Sequence, residues 1–359
     1  MTAALVLGKF YPPHRGHLLL LREALAVRAR VVVLCLGAGT DALTPRQRLD
    51  ALLQDAAAEG LDPARVEGRA GCDETPFDLE DPRVWRSHLE IFRAFLADAP
   101  PVDLLLTSED YGETLARHLG IGHRLVDRDR RGIPFSATRF RADPVDGWRQ
   151  LGPGGRRLLA TRVVVLGAES TGTTAVATAL AERLRARGGA WAEVGLVPEY
   201  GRTLTLRKQD VAQAATGVRP LGVDWQPDDF AHVAATQDHL EDAAAAAGGP
   251  ALVCDTDAFA THVWERRYLG EERARLHPAR LGRGHVYLLT HHEGVPFVQD
   301  GTRDGEHVRE AMTGQFARAL ARHGRPWAVL TGSLEERVAL ALRITDQLVA
   351  RRLRFVPPI

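Results

Sequence analysis

Twice in this chain a short apolar strand runs straight into a glycine-bearing loop and then a helix. The first unit is Ala3–Leu7, Gly8–Pro13 and a helix from about Arg15 to Ala29; the second is Arg162–Leu166, Gly167–Thr174 and Ala175–Arg187. A strand that is apolar at every position, not at alternate ones, must be covered on both faces. Strands of this kind alternating with helices build parallel sheets. The rest of the sequence keeps the pattern. Val31–Leu36 and Val102–Leu106 read as buried strands and His123–Val126 as a weaker one, with further strands at Ala192–Val197, Ala251–Cys254, His285–Leu289 and Trp327–Leu330. Thr44-Pro45 and Asp81-Pro82 place a capping side chain before a proline, which opens a helix. The helix after Asp81 puts Trp85, Leu89, Phe92 and Leu96 on one face.

The pattern breaks at Gly147–Gly155, where four glycines and a proline fall in nine residues. It predicts a division into a domain of residues 1–146, a linker at 147–160 and a second domain at 161–359. A length of 359 residues suits two domains, each large enough for its own core. The expected fold class is α/β, with two parallel-sheet domains. In the second domain, Glu293–Glu306 reads as a mobile polar loop, followed by helices at Glu306–Arg322 and Leu334–Arg352; Ala243–Gly249 reads as a helix end.

Charge narrows the function. The 46 basic and 46 acidic residues cancel, which argues against a nucleic-acid-coating or membrane-surface protein. No apolar run is long enough to cross a bilayer, and no basic leader precedes one. Cys35, Cys72 and Cys254 have no metal-ligand spacing and fit free thiols in a cytoplasmic protein. Of the 46 basic residues only Lys9 and Lys208 are lysine. A sequence so biased to arginine keeps lysine where a guanidinium will not serve. Lys9 therefore reads as functional; Lys208, without a motif around it, reads as a surface residue.

Lys9 precedes His14-Arg15-Gly16-His17, at the turn from the first strand into the first helix. Ligands of parallel sheets bind beyond the carboxyl ends of the strands, and a helix N-terminus offers an anion free N–H groups. Gly16 permits close approach of a phosphate, with His14, His17 and Lys9 around it. Ser136-Ala137-Thr138-Arg139-Phe140-Arg141 adds two hydroxyls and, on the same helical face as Thr138, Arg141. In the second domain, Gly167-Ala168-Glu169-Ser170-Thr171-Gly172-Thr173-Thr174 has the spacing of a phosphate-binding P-loop, with Thr173 where that loop carries lysine. Arg202 or Arg303 could supply the missing charge. Asp255 and Asp257 end an apolar strand, and Glu199 follows another; all three are candidate catalytic carboxylates, and Thr174 and Asp255 candidate ligands of Mg²⁺.

The two motifs of residues 1 to about 145 resemble the HxGH and SxTxxR signatures of the nucleotidyltransferase superfamily, whose domain is Rossmann-like. Within it, Ser108-Glu109-Asp110-Tyr111-Gly112 and Val126-Asp127-Arg128-Asp129-Arg130 resemble the nicotinamide mononucleotide (NMN) adenylyltransferases. The resemblance implies direct attack of the NMN phosphate on the α-phosphorus of ATP. Lys9, His14, His17 and Arg141 would stabilise charge, with Mg²⁺ sharing the load. Gly8, Phe10, Gly16, Ser136 and Thr138 would bind ATP, and Ser108, Glu109, Asp110, Tyr111 and Asp127 would bind NMN.

The whole chain resembles the NadR-type bifunctional proteins, which join an adenylyltransferase to a P-loop ribosylnicotinamide kinase. Glu199-Tyr200-Gly201-Arg202, Asp255-Thr256-Asp257 and Asp300-Gly301-Thr302-Arg303 carry the second half of that resemblance. It implies phosphorylation of nicotinamide riboside by ATP held at Gly167, Glu169, Ser170, Thr171, Gly172, Thr173, Thr174 and Arg303. Two alternatives stand beside it: a P-loop domain that only senses nucleotide, and a transferase with another acceptor. The expected partners are small molecules, namely ATP, NMN and nicotinamide riboside. The first strand begins near residue 3 with no helix-turn-helix before it, so no nucleic acid is expected, nor a membrane; a homo-oligomer is left open.

Overall fold

The structure, a computed structural model, describes residues 2–355 except 77, 79, 130, 134, 221, 271–281, 300–302 and 304. Arg130, Asp300, Gly301 and Thr302, used in the sequence reading, lie outside the described residues. The chain forms two compact units, Met1–Leu159 with Leu353–Ile359, and Ala160–Arg352.

The first unit runs β1 (Ala3–Gly8), α1 (Arg15–Val27), β2 (Val31–Gly37), α2 (Pro45–Ala58), β3 (Val66–Cys72), α3 (Pro82–Leu96), β4 (Val102–Thr107), α4 (Tyr111–Leu119), β5 (Gly122–Leu125), α5 (Ala137–Ala142) and α6 (Pro153–Leu159). Its sheet has the order β3-β2-β1-β4-β5, and every pairing is parallel. β1 lies in the middle, with Leu5 opposite Val32 on one side and Leu105 on the other. One face of the sheet packs Val6, Val33, Leu18, Leu21 and Leu52; the other packs Leu5, Leu34, Leu105, Leu89 and Phe92. β3 was not foreseen, because Val-Glu-Gly-Arg-Ala-Gly-Cys has no apolar run. It holds an edge by pairing its backbone with β2.

The segment expected as a linker is folded into this unit. Asp146–Gln150 forms a 3-10 turn that buries Trp148 completely, and α6 follows. The glycines there serve close packing. A Cβ on Gly154 would lie 2.4 Å from the Ala51 carbonyl oxygen of α2, and one on Gly152 would lie 2.3 Å from the Asp55 carboxyl carbon. The amides of Gly154 and Gly155 donate to the buried Asp55 carboxylate, whose pKa burial pushes up to about 6. The expected second domain of 161–359 is corrected at its far end as well, since Leu353, Arg354 and Phe355 belong with the first unit. There the Phe355 ring meets Tyr11 and Phe140 edge-on, with centroids 5.4 and 5.8 Å away.

The second unit runs β6 (Thr161–Gly167), α7 (Thr173–Arg185), β7 (Gly195–Val197), α8 (Tyr200–Thr216), α9 (Pro227–Ala247), β8 (Ala251–Asp255), α10 (Ala258–Leu269), β9 (Val286–Thr290), α11 (Arg309–Arg322), β10 (Trp327–Leu330) and α12 (Leu334–Arg352). The sheet order is β10-β9-β6-β8-β7, again all parallel, with β6 in the middle. The strand expected at Ala192–Val197 shortens to β7, because Gly189–Glu193 forms a 3-10 turn. Among the described residues no helix is long and apolar enough to cross a membrane.

If Gly154 is chosen for contact with α2, Gly154→Ala should destabilise the first unit by about 1–3 kcal/mol, the usual cost of forcing atoms into a packed interface. A thermal melt showing no loss would return this segment to the status of a linker.

Candidate active sites

In the first unit the loop leaving β1 builds the opening of α1 from the two histidines. His14 is the N-cap. The Gly16 amide donates to His14 Nδ1 at 3.0 Å, and the His14 amide donates to His17 Nδ1 at 3.1 Å. Two imidazoles thus perform the reciprocal capping usually done by a hydroxyl and a carboxylate. The chemical consequence is tautomeric: with both Nδ1 atoms accepting, each neutral ring carries its proton on Nε2 as a donor. The rings lie 3.8 Å apart at 32°. A Cβ on Gly16 would come within 2.8 Å of the His14 ring, so the position demands glycine.

His14, Gly16 and His17 line one cleft with Ser108, Glu109, Asp127, Ser136 and Thr138. Ser136 caps α5 by accepting from the Arg139 amide. Arg141 donates to the Tyr11 carbonyl at 2.8 Å and to Thr138 Oγ1 at 3.1 Å, which ties the second motif to the first. The sequence reading missed Arg48. Its fully buried guanidinium donates to the Lys9 carbonyl at 2.8 Å, pairs with Asp41 at 3.0 Å and lies over the Tyr11 ring. No local motif marks it; it reaches the loop from α2. Phe10 holds a positive φ of 45° and packs its ring edge-on to His17.

Lys9 and Gly8 line a neighbouring, apolar cleft with Asp73, Thr75, Trp85, His88, Phe92 and Tyr111. Burial lowers the Lys9 pKa, partly offset by the charges of Asp41 and Asp73. Trp85 and Phe92, read from sequence as a core face, contribute to this cavity. His88 Nδ1 stands 2.6 Å from Asp73 Oδ2, a pair 15 residues apart that spacing could not reveal. The five residues expected to bind NMN separate here. Ser108, Glu109 and Asp127 line the histidine cleft, and Tyr111 the apolar one. Asp110 lines neither; it is exposed and paired with Arg128 at 2.9 Å. The Asp127 carboxylate accepts from the amides of Gly132 and Ile133 at 3.0 Å each, so it also closes its own loop.

In the second unit the loop between β6 and α7 opens onto a cavity lined by Gly167, Glu169, Ser170, Thr173, Thr174, Glu199, Arg202, Asp255 and Arg303. Thr171 does not line it. Its buried hydroxyl bonds Thr290 at 2.7 Å and the Ala168 carbonyl at 2.7 Å, bracing the loop against β9. Gly172 is the N-cap of α7, with a φ of 87°. Thr174 Oγ1 donates to Asp255 Oδ2 at 2.5 Å, and Thr173 lines the same cavity. These hydroxyl and carboxylate oxygens are hard donors that suit Mg²⁺. Burial raises the Asp255 pKa. Desolvation, together with the Asp255 charge, pushes the half-buried Glu199 up to about 7, with Arg202 and Arg303 opposing the shift.

Asp257 does not join this group. It is fully buried, caps α10 through the Ala260 amide at 3.0 Å and accepts from the Tyr287 hydroxyl at 2.8 Å. Sequence reasoning also missed Trp225, Phe230, Trp264 and Tyr268, which line the same cavity. Trp225 lies 5.1 Å from Phe230 and 5.9 Å from Tyr268, all three rings tilted by about the same 34° and 32°. Lys208 is corrected from surface residue to brace. It donates to the Asp224 carbonyl at 2.7 Å, pairs with Asp229 and sits 5.5 Å from the Trp225 ring centroid.

A family model described as an AAA domain matches residues 162–337. The trifunctional NAD biosynthesis/regulator protein NadR of Escherichia coli (strain K12) is 24% identical over 318 residues, 84% of this chain and 72% of the relative. The protein of the same description from Salmonella typhimurium is 24% identical over 311 residues, 83% of this chain and 70% of the relative. A crystal structure of NadR protein in complex with NAD and AMP-PNP matches with a TM-score of 0.65 at 20% identity, over 97% of this chain and 96% of that one. A NadR structure in complex with NR matches with a TM-score of 0.63 over the same shares.

Asp255 and Asp257 should separate by experiment. Asp257→Ala removes a helix cap and leaves the Tyr287 hydroxyl proton without its acceptor, so a loss of about 2–3 kcal/mol of stability is expected. Asp255→Ala should weaken Mg²⁺-dependent nucleotide binding at least tenfold, measured by calorimetry, with a smaller change in melting temperature. Equal effects of the two on binding would place Asp257 back in the site.

Proposed function

We propose that this chain, a NadR-type protein in sequence and fold, makes NAD by adenylyl transfer in its first unit and phosphorylates nicotinamide riboside in its second. In the first reaction an NMN phosphate oxygen attacks the α-phosphorus of ATP. The bond to the bridging oxygen breaks, and pyrophosphate leaves with the electron pair. No residue need act as a nucleophile. The observation that carries this reading is the imidazole pair whose Nδ1 atoms cap α1, because it fixes two Nε2–H donors beside the hydroxyls of Ser136 and Thr138. Their role is to stabilise charge that develops on phosphate oxygens. Arg141 and Lys9 add positive charge, and Gly8, Phe10 and Gly16 shape the loop. The apolar cleft of Trp85, Phe92 and Tyr111 beside Lys9 suits the nicotinamide ring. Ser108 and Glu109 are placed to meet the rest of the nucleotide, with Asp127 holding its loop.

In the second reaction the riboside 5′-hydroxyl attacks the γ-phosphorus of ATP and ADP leaves. Glu199 is the candidate base: it faces the cavity and has a pKa near neutrality. Asp255 and Thr174 would hold Mg²⁺, which when bound draws charge from the phosphates. The positively charged pyridinium ring of the riboside suits the faces of Trp225, Phe230, Trp264 and Tyr268. A second unit that only senses nucleotide is not favoured, since such a sensor has no use for a carboxylate and an aromatic wall facing the phosphate loop. A different acceptor for the first unit is likewise not favoured, because the product of the second reaction is the substrate of the first. The proposed setting is the cytoplasm, with small molecules as partners and neither nucleic acid nor membrane.

Purified protein should form NAD from NMN and Mg-ATP. His17→Ala should lower that rate roughly 10²–10³-fold, the usual cost of one such donor, while riboside phosphorylation continues. Loss of both activities together would mean that His17 matters to the fold and not to adenylyl transfer.

Glu199 also sets a pH dependence. A carboxyl raised to about 7 is protonated below that pH and cannot accept a proton. Riboside phosphorylation should therefore rise with pH along a limb centred near 7, and Glu199→Gln should abolish the limb together with most of the rate. A profile flat from pH 5 to 8 in the unaltered protein would remove Glu199 from the role of base.

A further inference from the structure

The phosphate loop of the second unit has Thr173 at the position where such a loop normally carries lysine, so that cation is missing from its place. Among the described residues Arg202, Arg267, Arg303, Arg309 and Arg337 stand around the loop, and their bonds distinguish them. Arg309 donates to the carbonyls of Ser170, His292 and Val295 at 3.1, 3.3 and 2.9 Å. Arg337 donates to those of Gly332, Thr171 and Glu293 at 2.8, 2.9 and 3.3 Å. Both therefore hold backbone. Arg267 pairs with Glu169 at 3.2 Å and lies over the rings of Trp264 and Tyr268. Arg202 and Arg303 line the cavity.

These two differ in what anchors them. Arg202 is in the first turn of α8, three residues after Glu199, and its charge acts on Glu199 and Asp255. It stands on the side of the carboxylates. Arg303 is fastened to the phosphate loop itself, with Nη1 3.4 Å from Ser170 Oγ and a second bond to the Val298 carbonyl. Its neighbours grip the same two loop residues. The Val298 amide donates to Ser170 Oγ at 2.8 Å, and the Gly305 amide to Glu169 Oε2 at 2.7 Å. The guanidinium is thus held against the loop by bonds on both sides of it in sequence.

We propose that Arg303 supplies the charge on the outer phosphates of the bound triphosphate that a lysine at position 173 would otherwise supply, an inference that rests on the kinase reading of the second unit. The chemistry is compatible. A planar guanidinium can pair two N–H groups with two phosphate oxygens, and its reach lets it approach from beside the loop where lysine would rise from within it.

The test is rescue. Four full-length proteins are compared: unaltered, Thr173→Lys, Arg303→Ala and the double variant. Two quantities are read: ADP formation that depends on nicotinamide riboside, and Mg²⁺-AMP-PNP affinity by calorimetry. Arg303→Ala should lower kcat/KM for ATP roughly 100-fold, in the range expected for removing one partner of a close charge pair. Thr173→Lys alone removes the Thr173 hydroxyl and sets the reference for position 173; on that background Arg303→Ala should cost less than about tenfold, because the lysine then carries the charge. Arg303→Lys, which keeps the charge and loses the fork, should fall between. The proposal is overturned if the double variant is no better than Arg303→Ala, or if lysine at 173 rescues Arg202→Ala while Arg303→Ala costs less than threefold. Should the unaltered protein form no ADP with the riboside, the kinase reading fails by itself. The AMP-PNP affinities of the same four proteins then decide the role of Arg303, with loss and recovery supporting it and unchanged affinity refuting it.

Discussion

Each of the two loops proposed to hold phosphate leaves the middle strand of a five-stranded parallel sheet. β1 is hydrogen-bonded to β2 and β4, and β6 to β8 and β9. A strand paired on both edges and buried on both faces cannot slip by one residue without turning its whole apolar set the wrong way. The residues that follow it inherit that rigidity. In the first unit the neighbouring strands lead to helices on opposite faces, β2 to α2 and β4 to α4, so the loop emerges at the crevice where the connections part. This placement brings residues from distant parts of the chain together: Arg141 reaches Tyr11 from 130 residues away, and Asp255 meets Thr174 across 81.

Glycine does different work at different distances from those strands. Gly16 is needed because an imidazole occupies the space that a side chain would use. Gly154 is needed because its backbone touches that of α2 at Ala51, and Gly152 because the Asp55 carboxyl fills the space beside it. By composition alone the glycine run at 147–155 is a linker, and the reading failed there because composition cannot tell freedom from contact. The information lay in partners far along the chain, above all Asp55, whose carboxylate receives the α6 amides.

The same distinction separates what the sequence disclosed of the sites from what it concealed. His14, His17, Ser136, Thr138, Ser170 and Thr174 were legible because the motif and the secondary structure that presents it are one local stretch. Trp225, Trp264 and Tyr268 were not, because three helix-associated aromatics at irregular intervals look like core until the fold sets them around one cavity. His88 and Asp73 are hidden in the same way. Asp255 and Asp257 show how fine the limit is. Both sit beside Thr256, which takes a positive φ of 69°; the chain turns there, sending Asp255 to Thr174 and Asp257 to Tyr287 and the start of α10.

The scarcity of lysine gains meaning from the structure. Of the two, Lys208 meets a carbonyl, a carboxylate and an indole face in three directions, which a compact ammonium with three donors can do and a flat guanidinium cannot. Lys9 lies half-buried at the apolar cleft, and its carbonyl accepts from the buried Arg48. Ammonium was thus retained at both places where geometry asks for it. Position 173 is different, because its neighbour Asp255 is satisfied by a hydroxyl, and the phosphates of a nucleotide can be met from the side by a longer, planar group. On this proposal the threonine at 173 and the fastening of Arg303 to Ser170 are two parts of one arrangement, in which the charge stands beside the loop and not at the helix start.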